Sequence, residues 1–515
     1  VKEGEIKKLE KFAPVEAGEI PFAIPSGWQI IRMGWLARKL GAGSTPLGGK
    51  TVYQSEGVPF LRSQNVYNNG LRLDDVALIP RAVHERMSGT HVQQHDVLLN
   101  ITGASIGRCA LVPSSFTEGN VSQHVAIIRL FAPEIRTFVH LSLTSPFFQK
   151  LIDDVQVGVS REGLSMQRLK FFPMPLPPLA EQHRIVAKVD ELMALCDQLE
   201  AAKTEREQSR DRLVAASLHR LNQPADAEEA NPPEAFRDHA RFYFNHLLRL
   251  TTRPEHIKQL RQTILNLAVR GKLVPQDPND EPAGELLNRV AAERQELIAK
   301  GRLKAPKSCT TINADPPSQP IPATWKWMRL ADLISFGPQN GISPKPTNNT
   351  ESPKALTLTA TTSGIFNASY YKHVDLREVD CQNYWLSAGD VLFQRGNTRE
   401  YVGTAAVFDG PEKSFVFPDL MIRVRFAESL SLRFIHTMLI SPLLRKYFSV
   451  EATGASSSMP KISQGVLLNA PIPIPPLAEQ HRIVAKVDEL MALCDQLETC
   501  AGRAGDSLQP RLLAD

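Results

Sequence analysis

Several features by which a long chain declares its chemistry are missing. No uninterrupted apolar run approaches the roughly 20 residues that a membrane helix needs, so the 515 residues read as a soluble protein. Cysteine is scarce. Cys109, Cys196, Cys309, Cys381, Cys494 and Cys500 are scattered, with no CxxC pair and no histidine companions at zinc spacing. That argues against a structural zinc site and fits reduced thiols in the cytoplasm. Nor is charge of one sign in excess: 59 basic residues face 55 acidic ones, for a net charge of +4. A surface for nucleic acid has to come from local clustering.

Signatures of catalysis are missing as well. The run from Gly43 to Thr51 is one residue too long between glycine and lysine for a phosphate loop; it reads as a flexible turn in which Lys50 is placed to touch a phosphate. His84-Glu85 lacks the second histidine of a metalloprotease helix, and no carboxylate–lysine nuclease cluster is present.

What the chain does have is a repeat. The 24 residues from Pro177 to Glu200, PPLAEQHRIVAKVDELMALCDQLE, recur unchanged from Pro475 to Glu498, 298 residues later. Nearly the same offset links Ile24, Pro25 and Trp28 to Ile321, Pro322 and Trp325. It also links Asp96-Val97-Leu98 to Asp390-Val391-Leu392, and Leu164-Ser165 to Ile462-Ser463. Most residues between these marks differ. Shared ends around divergent middles indicate one scaffold carrying two different surfaces, the means by which a protein reads two unlike targets at a fixed separation. Gly4-Glu5-Ile6-Lys7 aligns with Gly301-Arg302-Leu303-Lys304. Residues 1–19 therefore read as the end of a helical unit whose upstream part is missing.

The copied segment predicts a helix. Ile185, Val189, Leu192, Cys196 and Leu199 fall at alternating spacings of four and three, and Ile483, Val487, Leu490, Cys494 and Leu497 repeat them. A stripe this narrow suits a coiled-coil seam better than a helix packed on its own domain, where it would bury little; two identical seams suit antiparallel pairing of the two helices about a pseudo-two-fold axis. Between the copies lie a polar linker at 223–236 and a helical region at 237–304. In that region the stripe Ile257, Leu260, Ile264, Leu267 is broken by Gly271 to Pro275, and a second follows at Leu287, Val290 and Leu297. The middles at 20–175 and 305–473 carry short β-branched and aromatic runs between Gly, Pro and Asn turns, the pattern of mixed α/β domains. The segments 176–222 and 474–515 are the two spacer helices. The fold class is α+β, a tandem repeat of two mixed domains separated and joined by long helices.

At this point the residues resemble the specificity (S) subunit family of Type I restriction-modification systems. The carriers are Pro175-Leu176-Pro177-Pro178-Leu179-Ala180-Glu181-Gln182 with its repeat at Pro473 to Gln480, and the run Ile257 to Ala283. In the first domain Gly57 to Ser63, Asp96 to Leu99, Gly103 and Gly107-Arg108 add to them. The second domain has Gly389 to Leu392 and Gly403 but no close copy of the Arg62 segment.

The resemblance implies a non-catalytic reader of double-stranded DNA, each target-recognition domain taking one half of a gapped target. It implies two adenine-methylating M subunits docked on the conserved helices, and R subunits in the full complex. No cofactor is implied on this chain; S-adenosylmethionine, ATP and Mg2+ belong to the partners, and no membrane is involved. Forty helical residues span roughly 60 Å, enough to hold two domains a DNA turn or more apart. An enzyme reading fails on its own residues. Asn231-Pro232-Pro233-Glu234 has a glutamate where the aromatic that stacks on a flipped base belongs, and no glycine-rich donor turn precedes it. A pure scaffold has no need of amide- and arginine-rich loops, which both middles carry.

Base edges are read by Arg, Lys, Asn and Gln, with Ser and Thr as shorter aids. The candidates are Lys50, Arg62, Ser63, Gln64, Asn65, Ser160 and Arg161 in the first domain. In the second they are Gln394, Arg395, Asn397, Arg399 and Lys461. Glu181, Gln182, His183 and Arg184 open the first helix as solvent-exposed residues or as partner contacts.

Overall fold

The computed structural model describes residues 12–16, 18–154, 163–222, 233–303, 320–454 and 459–506. The chain divides into two compact units, Val1–Lys203 and Thr204–Asp515.

In the first unit, β1 (Gln29–Arg32) lies antiparallel to the last strand, Pro173–Leu176, with Gln29 opposite Leu176 and Arg32 opposite Pro173. The domain thus begins and ends on the same two-stranded ribbon. Above it β2 (Ala37–Ala42), β3 (Val97–Asn100), β4 (Cys109–Leu111) and β5 (Val125–Leu130) form a sheet in the order β2-β5-β3-β4. Alternation along these strands serves two cores. Val97, Leu99, Ala126 and Ile128 face α1 (Arg136–Leu143), α2 (Pro146–Asp153) and α3 (Met166–Phe171), whereas Leu98, Val125 and Ile127 face Leu61, Val112 and Phe116. A strand buried on both faces reads as an unbroken apolar run, which is how Val125 to Ile128 appears in sequence. Ser145 and Ser165 cap α2 and α3 by accepting from Phe148 N and Arg168 N. The closing strand is β6 (Pro173–Leu176), after which Pro177 and Pro178 lead into α4 (Leu179–Leu221).

The second unit repeats this plan. After α5 (Pro233–Asn245), α6 (Pro254–Val269) and α7 (Ala283–Ala299), β7 (Lys326–Arg329) pairs with the closing strand Pro471–Ile474. The sheet of β8 (Ile334–Asn340), β9 (Val391–Gln394), β10 (Ala405–Val407) and β11 (Met421–Phe426) has the order β8-β11-β9-β10, matching the first. Three helices follow, α8 (Leu432–Leu439), α9 (Pro442–Glu451) and α10 (Gln464–Leu468). Then come β12 (Pro471–Ile474) and α11 (Leu477–Asp506). Ser463 caps α10 as Ser165 caps α3, while the other serine cap of this unit, Ser431, stands on α8. Helix α5 starts at Pro233, inside the stretch read as linker; proline is at home at a helix's first position, where its missing N–H costs nothing.

The α6–α7 break falls where the sequence put it. Gly271 adopts φ +66° after α6, and Lys272 N–H returns to Leu267 O at 3.0 Å. A Cβ there would also lie 2.5 Å from Pro322 Cγ.

In α11 the predicted seam packs against helices of its own unit. Ile483, Val487, Leu490, Cys494 and Leu497 share one core with Ile257, Leu260 and Ile264 of α6 and with Val214, Leu218 and Leu221 at the end of α4. Arg261 bonds Asp495 and Glu498, while further along the chain Asp280 bonds Arg482, so α6 and α11 run antiparallel. Ile185 and Val189 are only half-buried, and Leu192 and Leu199 are exposed. Within the second unit, then, the antiparallel neighbour of α11 is α6. An apolar stripe at four–three spacing fits any helix with a matching stripe, and α6 carries one beside a complementary arginine.

Candidate nucleic-acid interface

The frame that displays the variable loops is built twice from the same contacts. Trp28 Nε1 donates to Glu181 at 3.1 Å, and Trp325 Nε1 to Glu479 at 3.0 Å. Gln182 and Gln480 donate from Nε2 to Pro177 O and Pro475 O at 2.8 and 3.1 Å. Glu181 and Gln182 thus tie the start of α4 back to its own domain, Gln182 buried and Glu181 half-buried. His183 and Arg184 are exposed. Burial pushes the Glu479 carboxyl above the usual carboxylate range, opposed by its Gln276 and Trp325 donors.

The Asp-Val-Leu echo is structural as well. Asp96, 1% exposed, accepts from Gln93 N and from Arg129 Nε and Nη2, each at 2.7 Å. Asp390, fully buried, accepts from Ser387 N and pairs with Arg423 and Arg425 of β11. These aspartates anchor the middle of each sheet.

One residue pair sets where each domain projects its polar loop. At the end of β3, buried Asn100 donates from Nδ2 to Ser63 O at 2.8 Å; at the end of β9, buried Gln394 donates from Nε2 to Leu358 O at 2.8 Å. Gly107 N–H returns to Asn100 O at 2.9 Å, and Gly403 N–H to Gln394 O at 2.7 Å. Both glycines have positive φ, +84° and +74°, and a Cβ would strike Gln149 or Phe448. Residues 101–106 and 395–402 are therefore equivalent loops. Each lies beside the same neighbour: Leu164 N bonds Ile101 O, and Ile462 N bonds Arg395 O, both at 2.8 Å.

Around the second loop the structure gathers Arg395, Asn397, Arg399 and Lys461. Gly396 bridges Lys461, and Asn397 N bonds Pro460 O. Lys461 and Arg399 are exposed, although Arg399 also donates to Ser449 O at 2.9 Å. Asn397 is half-buried and donates to Gln394 Oε1. Gln394 itself is a correction. With its amide donating to Leu358 O, Thr361 Oγ1 and Thr362 Oγ1, it holds the loop and offers no edge to DNA.

In the first domain Asn65 is corrected for the same reason. It is 2% exposed, accepts from Arg62 N and donates to Arg72 O. Gln64 is exposed and donates to Asp75 at 2.9 Å; Arg62 donates to Asp75 O and stacks over Tyr53; Ser63 O receives the Asn100 amide. Lys50 is exposed on a 3-10 turn, with Thr51 Oγ1 donating to Gly48 O. Ser160 and Arg161 lie outside the described residues, as do Gly4 to Lys7, Asn231, Pro232 and Cys309. His84 packs on His91 and meets Asn120, a structural setting.

Two features escaped the sequence reading. Arg72 and Arg108 cover Tyr67, 3.9 and 4.7 Å from its ring centroid, leaving two exposed guanidiniums together. Next to them the loop from Ile101 carries Thr102, bonded to exposed His124. The signal for this loop was present: aligning Asp96 with Asp390 sets Thr102 to Arg108 opposite the chosen second-domain cluster.

One frame used twice, displaying unlike polar loops at an equivalent place, defines a recognition protein for two unlike targets. Comparison with known proteins names the targets' class. The type I restriction modification DNA specificity domain matches residues 25–207 and 322–502. The chain is 28% identical over 510 residues to the type I restriction enzyme EcoEI specificity subunit of Escherichia coli, covering 97% of this chain and 83% of that protein. It is 30% identical over 518 residues to the EcoAI specificity subunit of Escherichia coli, with the same coverage. The solved HsdS subunit from Thermoanaerobacter tengcongensis is 19% identical with a TM-score of 0.45, covering 93% of each chain. The chain belongs to the type I restriction-modification specificity family: it is a non-catalytic subunit with two tandem DNA-recognition domains.

Proposed function

We propose that each recognition domain reads one half of a bipartite, gapped DNA target, and that the conserved helices fix the spacing and dock two adenine-methylating subunits, with restriction subunits joining in the full complex. The observation that carries this is the equivalence of the 101–106 and 395–402 loops, held by Asn100 and Gln394 at matching strand ends while their residues differ. In the first domain the reading surface comprises Arg62, Gln64, Thr102, His124 and the Arg72–Tyr67–Arg108 stack; in the second it comprises Arg395, Asn397, Arg399 and Lys461. Arginine offers paired donors to guanine, and asparagine or glutamine offer a donor and an acceptor to adenine. Lys50 and the remaining cations hold phosphates, a sequence-independent contribution that weakens with salt. S-adenosylmethionine, ATP and Mg2+ act on the partner subunits, and the complex works in the cytoplasm.

The test is a long-read methylation map of a methylation-free host expressing this chain with the methyltransferase subunit of its own operon. A two-part gapped motif with methyladenine in each half, absent without this chain, is the expected result. A soluble complex of the two proteins that methylates no gapped motif contradicts the proposal.

A further inference from the structure

The two recognition domains share a frame, and one residue of the second departs from it at a cost. On β5 Ile127 lies opposite Leu98; on β11 Arg423 lies opposite Leu392, the twin of Leu98, so the two positions are equivalent. Ile127 is fully buried in a core with Leu61 and Phe116, whereas Arg423 is 5% exposed. Burying a guanidinium is costly unless its charge is matched. Here the match is incomplete. Arg423 reaches Asp390 at 3.4 Å, but the same carboxylate already pairs with Arg425, as its twin Asp96 pairs with Arg129. Arg423 Nη1 donates to Trp385 O at 2.6 Å and Nη2 to Asn383 O at 3.0 Å, while Nε has no hydrogen-bond partner among the described residues. Burial pulls this guanidinium below its ordinary pKa, with Asp390 opposing and Arg425 adding to the fall. Two cations on one carboxylate leave a positive charge in excess.

That excess borders a cleft of about 1230 Å³ within the second unit, lined by Arg423 and Arg425 together with Arg302, Lys413, Phe336 and Trp385. The acid among its lining residues is Glu412, which accepts from Ser387 Oγ at 2.9 Å. Arg302 and Lys413 are exposed and form no ion pair among the described residues. Lys413 also holds φ +55°, a conformation costly for a lysine and of the kind kept where a site requires it. Phe336 backs both inner guanidiniums, its ring centroid 4.9 Å from Arg423 Cζ and 5.4 Å from Arg425 Cζ. We propose that this cleft binds a ligand carrying a chain of two or three phosphates, free or as part of a nucleotide. Such a chain brings several negative charges at once, and guanidinium forks match its oxygens. The cleft is large enough for a small molecule of this kind. Duplex DNA fits it less well, because its phosphates lie on a convex, stiff surface and Arg423 is recessed. This inference goes beyond the reading of a gapped target and does not rest on it.

The test is titration calorimetry on the full chain at about 0.15 M salt, with inorganic tripolyphosphate and a purine nucleoside triphosphate as separate probes. One site per chain is expected. Lys413→Glu with Arg302→Glu should weaken it by about tenfold or more. Lys372→Glu with Lys446→Glu makes the same charge change at exposed residues that do not line the cleft, and should leave the affinity within about twofold. Arg423→Ile installs the first domain's residue and should also weaken binding, with hydrogen exchange of β11 showing that the sheet is kept. Equal affinities for the two probes mean that the phosphate chain alone is held. Tighter binding of the nucleotide, lost in Trp385→Ala, means that a base is held as well.

No heat from either probe at about 1 mM overturns the proposal. So does binding that the Lys413 and Arg302 reversals leave unchanged, or that the Lys372 and Lys446 reversals weaken as much. One-for-one displacement of tripolyphosphate by a short duplex of unrelated sequence also overturns it, because the cleft would then hold the DNA backbone. None of these outcomes bears on the methylation map, so the two readings fail separately.

Discussion

Between α4 and α11, the same 24 residues meet different neighbours; between the two recognition domains, different residues build the same frame. The helices teach that an amphipathic pattern specifies a face but not its occupant, since Leu490 is buried by α6 and Leu192, its twin, is exposed. The domains teach the converse. Few residues are needed to keep a frame: a Trp–Glu clasp, an Asp–Arg anchor, a buried amide at a strand end and a positive-φ glycine recur while their surroundings change.

The anchors give the sharpest test of that equivalence. Asp390→Ala leaves Arg423 buried without its carboxylate and should cost about 3–5 kcal/mol, and Asp96→Ala should cost a similar amount through Arg129. Hydrogen exchange of β9 and β11, or of β3 and β5, reads each loss locally; a large effect in only one domain would break the equivalence. The seams should respond unequally. Leu490→Ala in α11 removes a core side chain and should cost about 2–5 kcal/mol, whereas Leu192→Ala in α4 should fall within about 0.5 kcal/mol. Exchange protection of the two helices measures both, and equal costs would contradict the burial difference.

Specificity should divide by domain. Arg395→Ala with Lys461→Ala should weaken DNA binding of the assembled complex by about 1–3 kcal/mol and relax one half of the target only. Competition binding with each half scrambled in turn distinguishes this from a general phosphate loss, which would affect all sequences alike. The smallest effect concerns pH. Because burial raises the Glu479 carboxyl in the folded chain, the folded state holds that proton more tightly than the unfolded one. Its contribution is present at low pH and is lost as pH rises through the elevated value. Glu479→Gln should remove this dependence at the start of α11, as followed by exchange across that range.

Much of this was legible in sequence. The exact 24-residue repeat reveals the duplication and Gly271 the helical break, whereas Trp28 and Trp325 align in sequence without disclosing their Glu181 and Glu479 partners. The reading surface was legible only in part, because residue type does not tell an amide that reads DNA from one that holds a loop. Asn65 and Gln394 have the hydrogen-bonding groups that read base edges, but their amides donate to backbone carbonyls and hydroxyls within the domain. The Arg72–Tyr67–Arg108 stack was illegible for another reason: it joins residues brought together only by the fold.

The central claim, two interchangeable frames each reading one half-target, is tested most directly by replacing residues 322–474 with a second copy of residues 25–176 and mapping methylation with the partner methyltransferase. The account predicts a gapped motif whose two halves have become the same word, the one read by the first domain. Retention of the original unequal halves would contradict it, as would loss of all methylation from a chain that still folds and assembles.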